Sequence, residues 1–471
     1  MKFIFVSGGV ISGVGKGLAT ASISLLLKSR GLRVCPMKCD PYINVDAGTM
    51  NPIVHGEVFV LDDGMETDQD LGHYERFLSE NLSRLNYMTT GQVYGTVIAR
   101  ERAFEFEGQC VEAVPHIPEE IIRRILAVGK ANRADVVIIE IGGTVGEYQN
   151  ELYFEANRLL KLRYGDDVLH IHITYLPIPP SLGEMKSKPA QMSVKLLNSY
   201  GIQPDFLLAR SETSIDRPRR EKLATFCNVP QEFIIAAPDV SLVYQIPLNF
   251  EEEGLTDKIL KKLRLPARAK DLKVWRRFVE RTRGATKEVR VGIVGKYFGS
   301  GDFTLADAYI SVIEAIKHAA GTLGVKPIME WVDAGEIEKK GTDRLKKYDG
   351  IIVPGGFGGR DIEGKIATIQ FARENKVPYL GLCYGMQLAC VEYARHVLGL
   401  KRAHTTEIEP KTRYPIIHIM PEQEKKLLLR EYGGTMRLGV WPCKLKPGTR
   451  TWNAYKKAGY RSSLIQERHR H

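Results

Sequence analysis

Residues 8–17 read GGVISGVGKG and follow the apolar run KFIFV after one residue, Ser7. Gly8, Gly9, Gly13, Gly15 and Gly17 around a single Lys16 let backbone N–H groups converge on an anion at a helix N-terminus, and the lysine adds a mobile ammonium. A plain strand-to-helix turn needs one glycine, so the run is built for a polyphosphate. It departs twice from the usual G-x-x-x-x-G-K-[ST] loop, because Val10 stands at the first glycine and Gly17 at the magnesium-binding hydroxyl. The metal ligands must then come from other elements.

Two carboxylates suit that role. Asp70 lies in ETDQDLGHYERF after a Gly/Asp turn, and Glu140 ends the apolar run ADVVIIE just before IGGTVGE. A charge at the end of a buried strand is costly unless it is paired or bound to a cation, and ligands of open α/β sheets gather at the strands' C-terminal ends. Lys38 ends a third apolar run, RVCPMK, and can sit on a transferring phosphoryl group. Positioning and charge neutralisation carry most of phosphoryl-transfer catalysis, so two lysines and Mg2+ are sufficient equipment.

A second chemistry appears at LGLCYGMQ, residues 380–387. The G-x-C-x-G turn between VPYLGL and the helical MQLACVEYA is a nucleophile elbow, which exposes Cys383 and aims a helix N-terminus at it. PGGFGG at 354–359 offers free N–H groups where an oxyanion would form. Cys390, on the helix that follows, is expected to be a buried structural cysteine. A cysteine nucleophile also needs a histidine base and a carboxylate to orient it.

Positioning these groups takes two sheets. Apolar runs recur at KFIFV, RVCPMK, ADVVIIE, VLHIHITYL and DFLLAR, alternating with helical stretches, and a second alternation runs through VRVGIVGKY, YDGIIVPGGFGG and KVPYLGLCYG. Continuous Val/Ile/Leu strands between helices predict an α/β protein of two domains, each a mostly parallel sheet flanked by helices. The expected boundaries are a nucleotide domain over 1–265, a charged helical linker over 266–288 and a second domain over 289–471. A length of 471 residues fits two cores.

Bulk properties exclude several classes. Hydrophobic content of 44% without an apolar run of about 20 residues argues against a membrane span. Seven cysteines without CxxC pairs, and an N-terminus that begins as a strand, predict a reducing, cytoplasmic setting and neither a disulfide framework nor a zinc site. The net charge of +11 is spread along the chain without an aromatic-interleaved basic block, so free nucleotides are favoured over nucleic acid as anionic partners.

The strings SGGVISGVGKG, MKCDPYINVDAGTMNPIVHGEVFVLDDGMETDQDLGHYERF and EIGGTVGE resemble the amidoligase domain of the CTP synthase family, and KSKPAQMSVKLL, EKLATFCNVP, GGTMRLG and ERHRH extend the likeness almost end to end. The resemblance implies a P-loop NTPase-like amidoligase joined to a class I glutamine amidotransferase. In that family the γ-phosphate of ATP passes to O4 of UTP, ammonia displaces the phosphate at C4, and CTP is released. By resemblance, Gly13, Val14, Gly15, Lys16, Gly17, Leu18, Asp239 and Val240 bind ATP, Asp70 and Glu140 bind Mg2+, Lys38 steadies the transferring group, and His55 touches the reacting substrate. Ser12, Glu147, Tyr148, Gln149, Lys186, Ser187, Lys188, Pro189, Ala190, Gln191 and Lys222 are implied for UTP and CTP. Lys-x-Lys-Pro suits a triphosphate, since a stiffened turn presents two point charges.

Departures from the family pattern are Glu147, Tyr148 and Gln149 in place of Asp-Ile-Glu, Pro238 in place of a lysine, and Tyr384 in place of a leucine beside the nucleophile. In the second domain the resemblance implies that Gly356, Tyr384, Gln387, Glu407 and Arg470 hold glutamine around Cys383. It puts the catalytic His-x-Glu motif some tens of residues after ERHRH, beyond residue 471, and neither His469 nor His471 matches it. The expectation is a C-terminally truncated amidotransferase domain, so that the chain makes CTP with free ammonium and uses glutamine poorly or not at all. The family further implies a homotetramer with sites shared across subunits, filaments, CTP feedback inhibition and GTP activation, with Arg437 at a GTP-linked lid. Two other readings stay open from the residues: a ligase that amidates a carboxylic acid, such as the cobyric acid synthases, and a nucleotide-binding assembly protein without activity.

Overall fold

The structure is a computed structural model that describes residues 1–471 except 267, 270, 296–298, 301–302, 305, 357–358, 422, 424, 426–433 and 435. The chain divides into two compact units, one formed by 1–47 and 61–274, the other by 48–60 and 275–471.

Unit 1 is built on a seven-stranded sheet. Its strands are β1 (Lys2–Gly8), β2 (Val34–Asp40), β3 (Tyr87–Thr89), β4 (Val136–Ile141), β5 (Val168–Tyr175), β6 (Phe206–Ser211) and β7 (Ile234–Pro238), in the order β3-β2-β4-β1-β5-β6-β7. Every pairing is parallel. Burial on both faces explains why β4 reads VVIIEI without alternation, all six positions being buried. Pro36 sits inside the central strand β2, where a ladder donor is normally required. It is tolerated because β3 pairs only with Lys38–Asp40, and the Asn86 side chain donates to the Pro36 carbonyl at 2.8 Å where no strand runs alongside.

The helices that matter for the site are α1 (Lys16–Ser29), α2 (Asp70–Leu78), α3 (Glu151–Tyr164), α4 (Lys188–Ser199) and α5 (Arg217–Cys227). They cover the sheet with apolar faces, and one core cluster runs from Phe3 and Met37 through Ile139 to Phe154 and Leu197.

Unit 2 contains a four-stranded parallel sheet of β8 (Glu288–Gly295), β9 (Lys326–Asp333), β10 (Gly350–Val353) and β11 (Tyr379–Gly381), ordered β9-β8-β10-β11. Helix α6 (Tyr384–His396) leaves the end of β11 and packs into a core with Val353, Ile366 and Leu388. An antiparallel pair, β12 (Leu438–Lys444) and β13 (Leu464–Arg470), brings the chain end alongside Arg437, whose N–H donates to the His471 carbonyl at 2.8 Å. Both units are α/β with parallel sheets, as the alternation of apolar runs predicts. Among the described residues no helix is long and apolar enough to cross a membrane.

Candidate active sites

The glycine-rich loop leaves β1 and enters α1 at Gly15, whose φ of 97° is left-handed and natural only for glycine. Val10 also has a positive φ, 77°, so the residue that replaces the usual glycine is a β-branched side chain in the conformation that glycine would take. Arg210, at the end of β6, ties the loop down by donating to the Gly13 carbonyl and the Asp239 carboxylate, both at 2.9 Å. Beside it opens a cavity of about 330 Å³ lined by Val14, Leu18, Arg210, Asp239, Val240 and Phe250 among others.

Gly17 explains where the missing hydroxyl went. A Cβ at this position would lie 1.8 Å from Asp70 Oδ1, so the carboxylate from α2 fills the space that a serine or threonine side chain would need. Lys38 and Glu140 are register partners across β2 and β4. The Lys38 ammonium donates to Glu140 Oε1 at 2.7 Å and to Asp70 Oδ2 at 2.5 Å, bringing three predicted residues to one point at the sheet's C-terminal edge. Tyr74, one turn after Asp70, donates its hydroxyl to the other oxygen of Glu140.

The electrostatics follow from burial and crowding. Burial alone would lower Lys38, but Asp70, Glu140 and Asp40 outweigh it and hold the ammonium well above its ordinary range. Asp70 is held below the ordinary carboxylate range because Lys38 overcomes its burial, whereas Glu140 is raised by burial and then by Asp70. Lys16 is lowered, first by burial and then by Lys38. Asp40, buried, and Asp68, half-buried, which the motifs did not single out, lie beside this cluster, and desolvation raises both.

Among the described residues no set of three or more His, Cys, Asp or Glu could by itself enclose a metal. Two converging carboxylates beside a phosphate loop nevertheless fit Mg2+, which uses one or two carboxylates with substrate phosphates and waters.

The predicted UTP residues fall into two groups. Lys186, Ser187, Lys188 and Lys222 line a cavity of about 550 Å³ with Glu184 and Arg219. Glu184 accepts from Lys186 at 2.7 Å and from Arg219 at 3.1 Å, so one carboxylate currently holds two cations. Gln191 donates to Ser187 Oγ at 3.0 Å, while the Ala190 side chain is fully buried in a core cluster. Tyr148 and Gln149 line a different cavity, of about 440 Å³, with Tyr42, Ile43 and Leu152. Glu147 accepts from the Thr144 N–H at 2.7 Å and from Gln149 at 3.1 Å. Ser12 is exposed on the loop, and Pro189 is half-buried on the first turn of α4.

In unit 2 the elbow is as tight as its glycines require. A Cβ on Gly385 would lie 2.1 Å from the Val353 carbonyl, and one on Gly381 would lie 2.7 Å from the backbone of Gly385. Cys383 has φ 49° and ψ −106° and sits directly before α6. Its thiol is raised by burial; the Tyr384 N–H opposes this, Glu407 adds to it and Arg470 opposes it. Gln387 lies one turn along α6, and Tyr384 packs beneath, its ring under the Lys365 ammonium at 5.3 Å. A Cβ on Gly355, next to Gly356, would be 3.5 Å from Cys383 Cβ. Phe357 and Gly358 of the expected oxyanion segment lie outside the described residues, as do Gly433 and Thr435 of GGTMRLG.

One expectation changes. Cys390 is exposed rather than buried, because it sits on the outer face of α6. His55 belongs to a short helix, Pro52–His55, in the segment 48–60 that is grouped with unit 2. Sequence reasoning also passed over Tyr74, Arg210 and Arg219. The first was findable from its i,i+4 spacing to Asp70 on a helix, the second from its place at a strand end; Arg219, within the basic run RPRR, carries no local signal that separates it from a solvated helix face.

A phosphate loop backed by lysines and carboxylates, together with a cysteine elbow on a second α/β unit, defines a nucleotide-dependent ligase coupled to an amidotransferase. The first half, residues 2–265, matches the family model "CTP synthase N-terminus", and residues 304–442 match "Glutamine amidotransferase class-I". Over its whole length the chain is 50% identical to CTP synthase of Pyrococcus abyssi and 51% identical to that of Carboxydothermus hydrogenoformans, covering 85% and 86% of those proteins. The chain belongs to the CTP synthase family and is an enzyme, a ligase with a glutamine amidotransferase domain. The carboxylate-amidating and non-enzymatic readings fall with that assignment.

Proposed function

We propose the following division of the family's reaction among the residues of this chain. Members aminate UTP to CTP at the expense of ATP, and this chain carries out that reaction. The loop Gly13–Leu18 holds the ATP phosphates, with Lys16 at the β/γ position, and the cavity beside Asp239 and Val240 takes the adenine. Asp70 and Glu140 would hold Mg2+, which supplies charge neutralisation on the phosphates. Lys38, held charged at rest by the two carboxylates, moves to the transferring phosphoryl group, whose negative charge takes their place as its partner. O4 of UTP attacks the γ-phosphorus, ADP leaves, and ammonia then displaces phosphate at C4.

Lys186, Lys188 and Lys222 take the UTP triphosphate, with Ser187, Pro189, Ala190 and Gln191 shaping the turn, and Arg219 is added to this set because it lines the same cavity. Tyr148 and Gln149 line another cavity, with Glu147 hydrogen-bonded to Gln149 beside it, which supports a site completed by a second subunit of a homotetramer. In unit 2, Cys383 attacks the glutamine amide while Gly356, Gln387, Glu407 and Arg470 hold the substrate. GTP activation involving Arg437, filament assembly and a cytoplasmic location are carried as expectations of the same reading.

The observation that carries the proposal is the Lys38 ammonium lying between the carboxylates of Asp70 and Glu140 beside the phosphate loop. Measuring UTP-dependent ADP release and CTP formation, with ammonium and then glutamine as nitrogen donor, tests it. ADP release that ignores UTP would overturn the assignment of the two nucleotide sites.

A further inference from the structure

Below the phosphate loop, unit 1 buries a chain of five polar side chains. Asn157 of α3 contacts His170 Nδ1 through Nδ2 at 2.5 Å, His170 Nε2 meets Ser7 Oγ at 2.7 Å, Ser7 Oγ meets His172 Nδ1 at 2.8 Å, and His172 Nε2 meets Ser193 Oγ of α4 at 2.6 Å. None of the five is more than 3% exposed. With the Asn157 amide as donor, each bond has one consistent direction: His170 donates to Ser7, Ser7 to His172, and His172 to Ser193. This order requires neutral imidazoles, and burial pushes both histidines down to about 3.

The relay ends touch functional elements. Ser7 directly precedes the loop. A Cβ on Gly9 would lie 1.7 Å from Ser193 Oγ and 3.1 Å from His172 Nε2, so the loop rests on the relay's last two members. The Gly9 N–H also donates to the Ile173 carbonyl at 3.0 Å, next to His172. Ser193 stands two residues after Gln191 on the helix that begins at Lys188. Apolar side chains could fill this volume without hydrogen bonds; a fully satisfied network instead rigidifies one arrangement of the elements it joins.

We propose that Ser7, His172 and Ser193 are positioning residues that fix the phosphate loop relative to the N-terminal turn of α4, and so hold the γ-phosphate of ATP in line with O4 of UTP. This rests on the assignment of the α4 turn to UTP. No relay residue lines the cavities assigned to ATP and UTP, so the relay acts on the distance between two bound substrates rather than on the affinity for either. Misplacement by about 1 Å can cost roughly a hundredfold in rate.

The test measures kcat for ammonium-dependent CTP formation, together with the separate binding of ATP and of UTP to the intact chain. Ser193→Ala removes one oxygen and should lower kcat about tenfold or more, with both Kd values within twofold of the parent. His172→Leu should do the same, and His172→Gln, which can still reach Ser193, should recover most of the rate. If His172→Leu does not fold, Ser193→Ala decides. Parental kcat in Ser193→Ala, or a loss in kcat matched by an equal loss in nucleotide affinity, overturns the inference. Lys188→Ala separates the two claims: an unchanged KM for UTP there refutes the assignment of the α4 turn, whatever the relay variants do.

Discussion

The two reactive regions are organised on different physical terms. At the phosphate loop, function depends on balanced charge: Lys16 and Lys38 face Asp70 and Glu140, with Asp40 and Asp68 alongside, and each group's protonation is set by the others. At the elbow, function depends on backbone shape. One thiol is aimed by a strained turn that glycine alone permits at Gly381 and Gly385, and the surrounding charges act on it weakly and in opposite senses. A charge cluster tolerates movement but not loss of a member; a strained turn tolerates a change of charge but not an added atom.

The largest effect expected on the charge side is from Lys16→Ala, which removes the loop's only ammonium. UTP-dependent ADP release should fall about a thousandfold, and ammonium and glutamine should be affected equally as nitrogen donors. On the shape side, Gly385→Ala places a methyl 2.1 Å from a backbone carbonyl. It should abolish any glutamine-dependent CTP formation and leave the ammonium-dependent rate within about twofold, since the elbow and the phosphate loop are built on separate units and share no partner side chain. Loss of the ammonium rate would mean that the two regions are not separable in this way.

Gly17→Ser sharpens the comparison, because it restores the hydroxyl of the common phosphate loop. Here that side chain collides with Asp70, so CTP formation should drop roughly a hundredfold instead of improving, as a Mg2+ titration of ADP release will show. Glu140→Gln leaves Lys38 and Asp70 but removes a buried charge. Breaking a buried pair costs about 3–5 kcal/mol, to be read as a lower urea midpoint. The smallest effect concerns the thiol. Because burial raises Cys383, its alkylation by iodoacetamide should be slow near neutrality and keep accelerating with pH past the ordinary thiol range; a rate that levels off near pH 7 contradicts that environment.

Much of this was legible in the residues. Unbroken apolar runs gave away parallel strands, since a strand covered on both faces cannot alternate. Glycine spacing marked both turns, and Glu140 was conspicuous as a charge ending an apolar strand. Cys390 misled because a helix face cannot be read from one residue within an apolar stretch. The buried histidines of VLHIHITYL looked like part of a strand pattern, and their partners Ser7, Asn157 and Ser193 come from three other elements.

By itself the sequence determined the chemistry that was available: which side chains carry charge, which thiol sits in an elbow, and where backbone N–H groups can face an anion. Those are local properties, fixed by residue type and by the conformations a few neighbouring residues allow. The tertiary structure decided which charges meet. Lys38 finds Glu140 only because β2 and β4 pair in one register, and Gly17 needs no hydroxyl only because α2 delivers the Asp70 carboxylate into the space that glycine leaves open. Such encounters span tens of residues of chain and are set by packing, which spacing along a sequence does not encode.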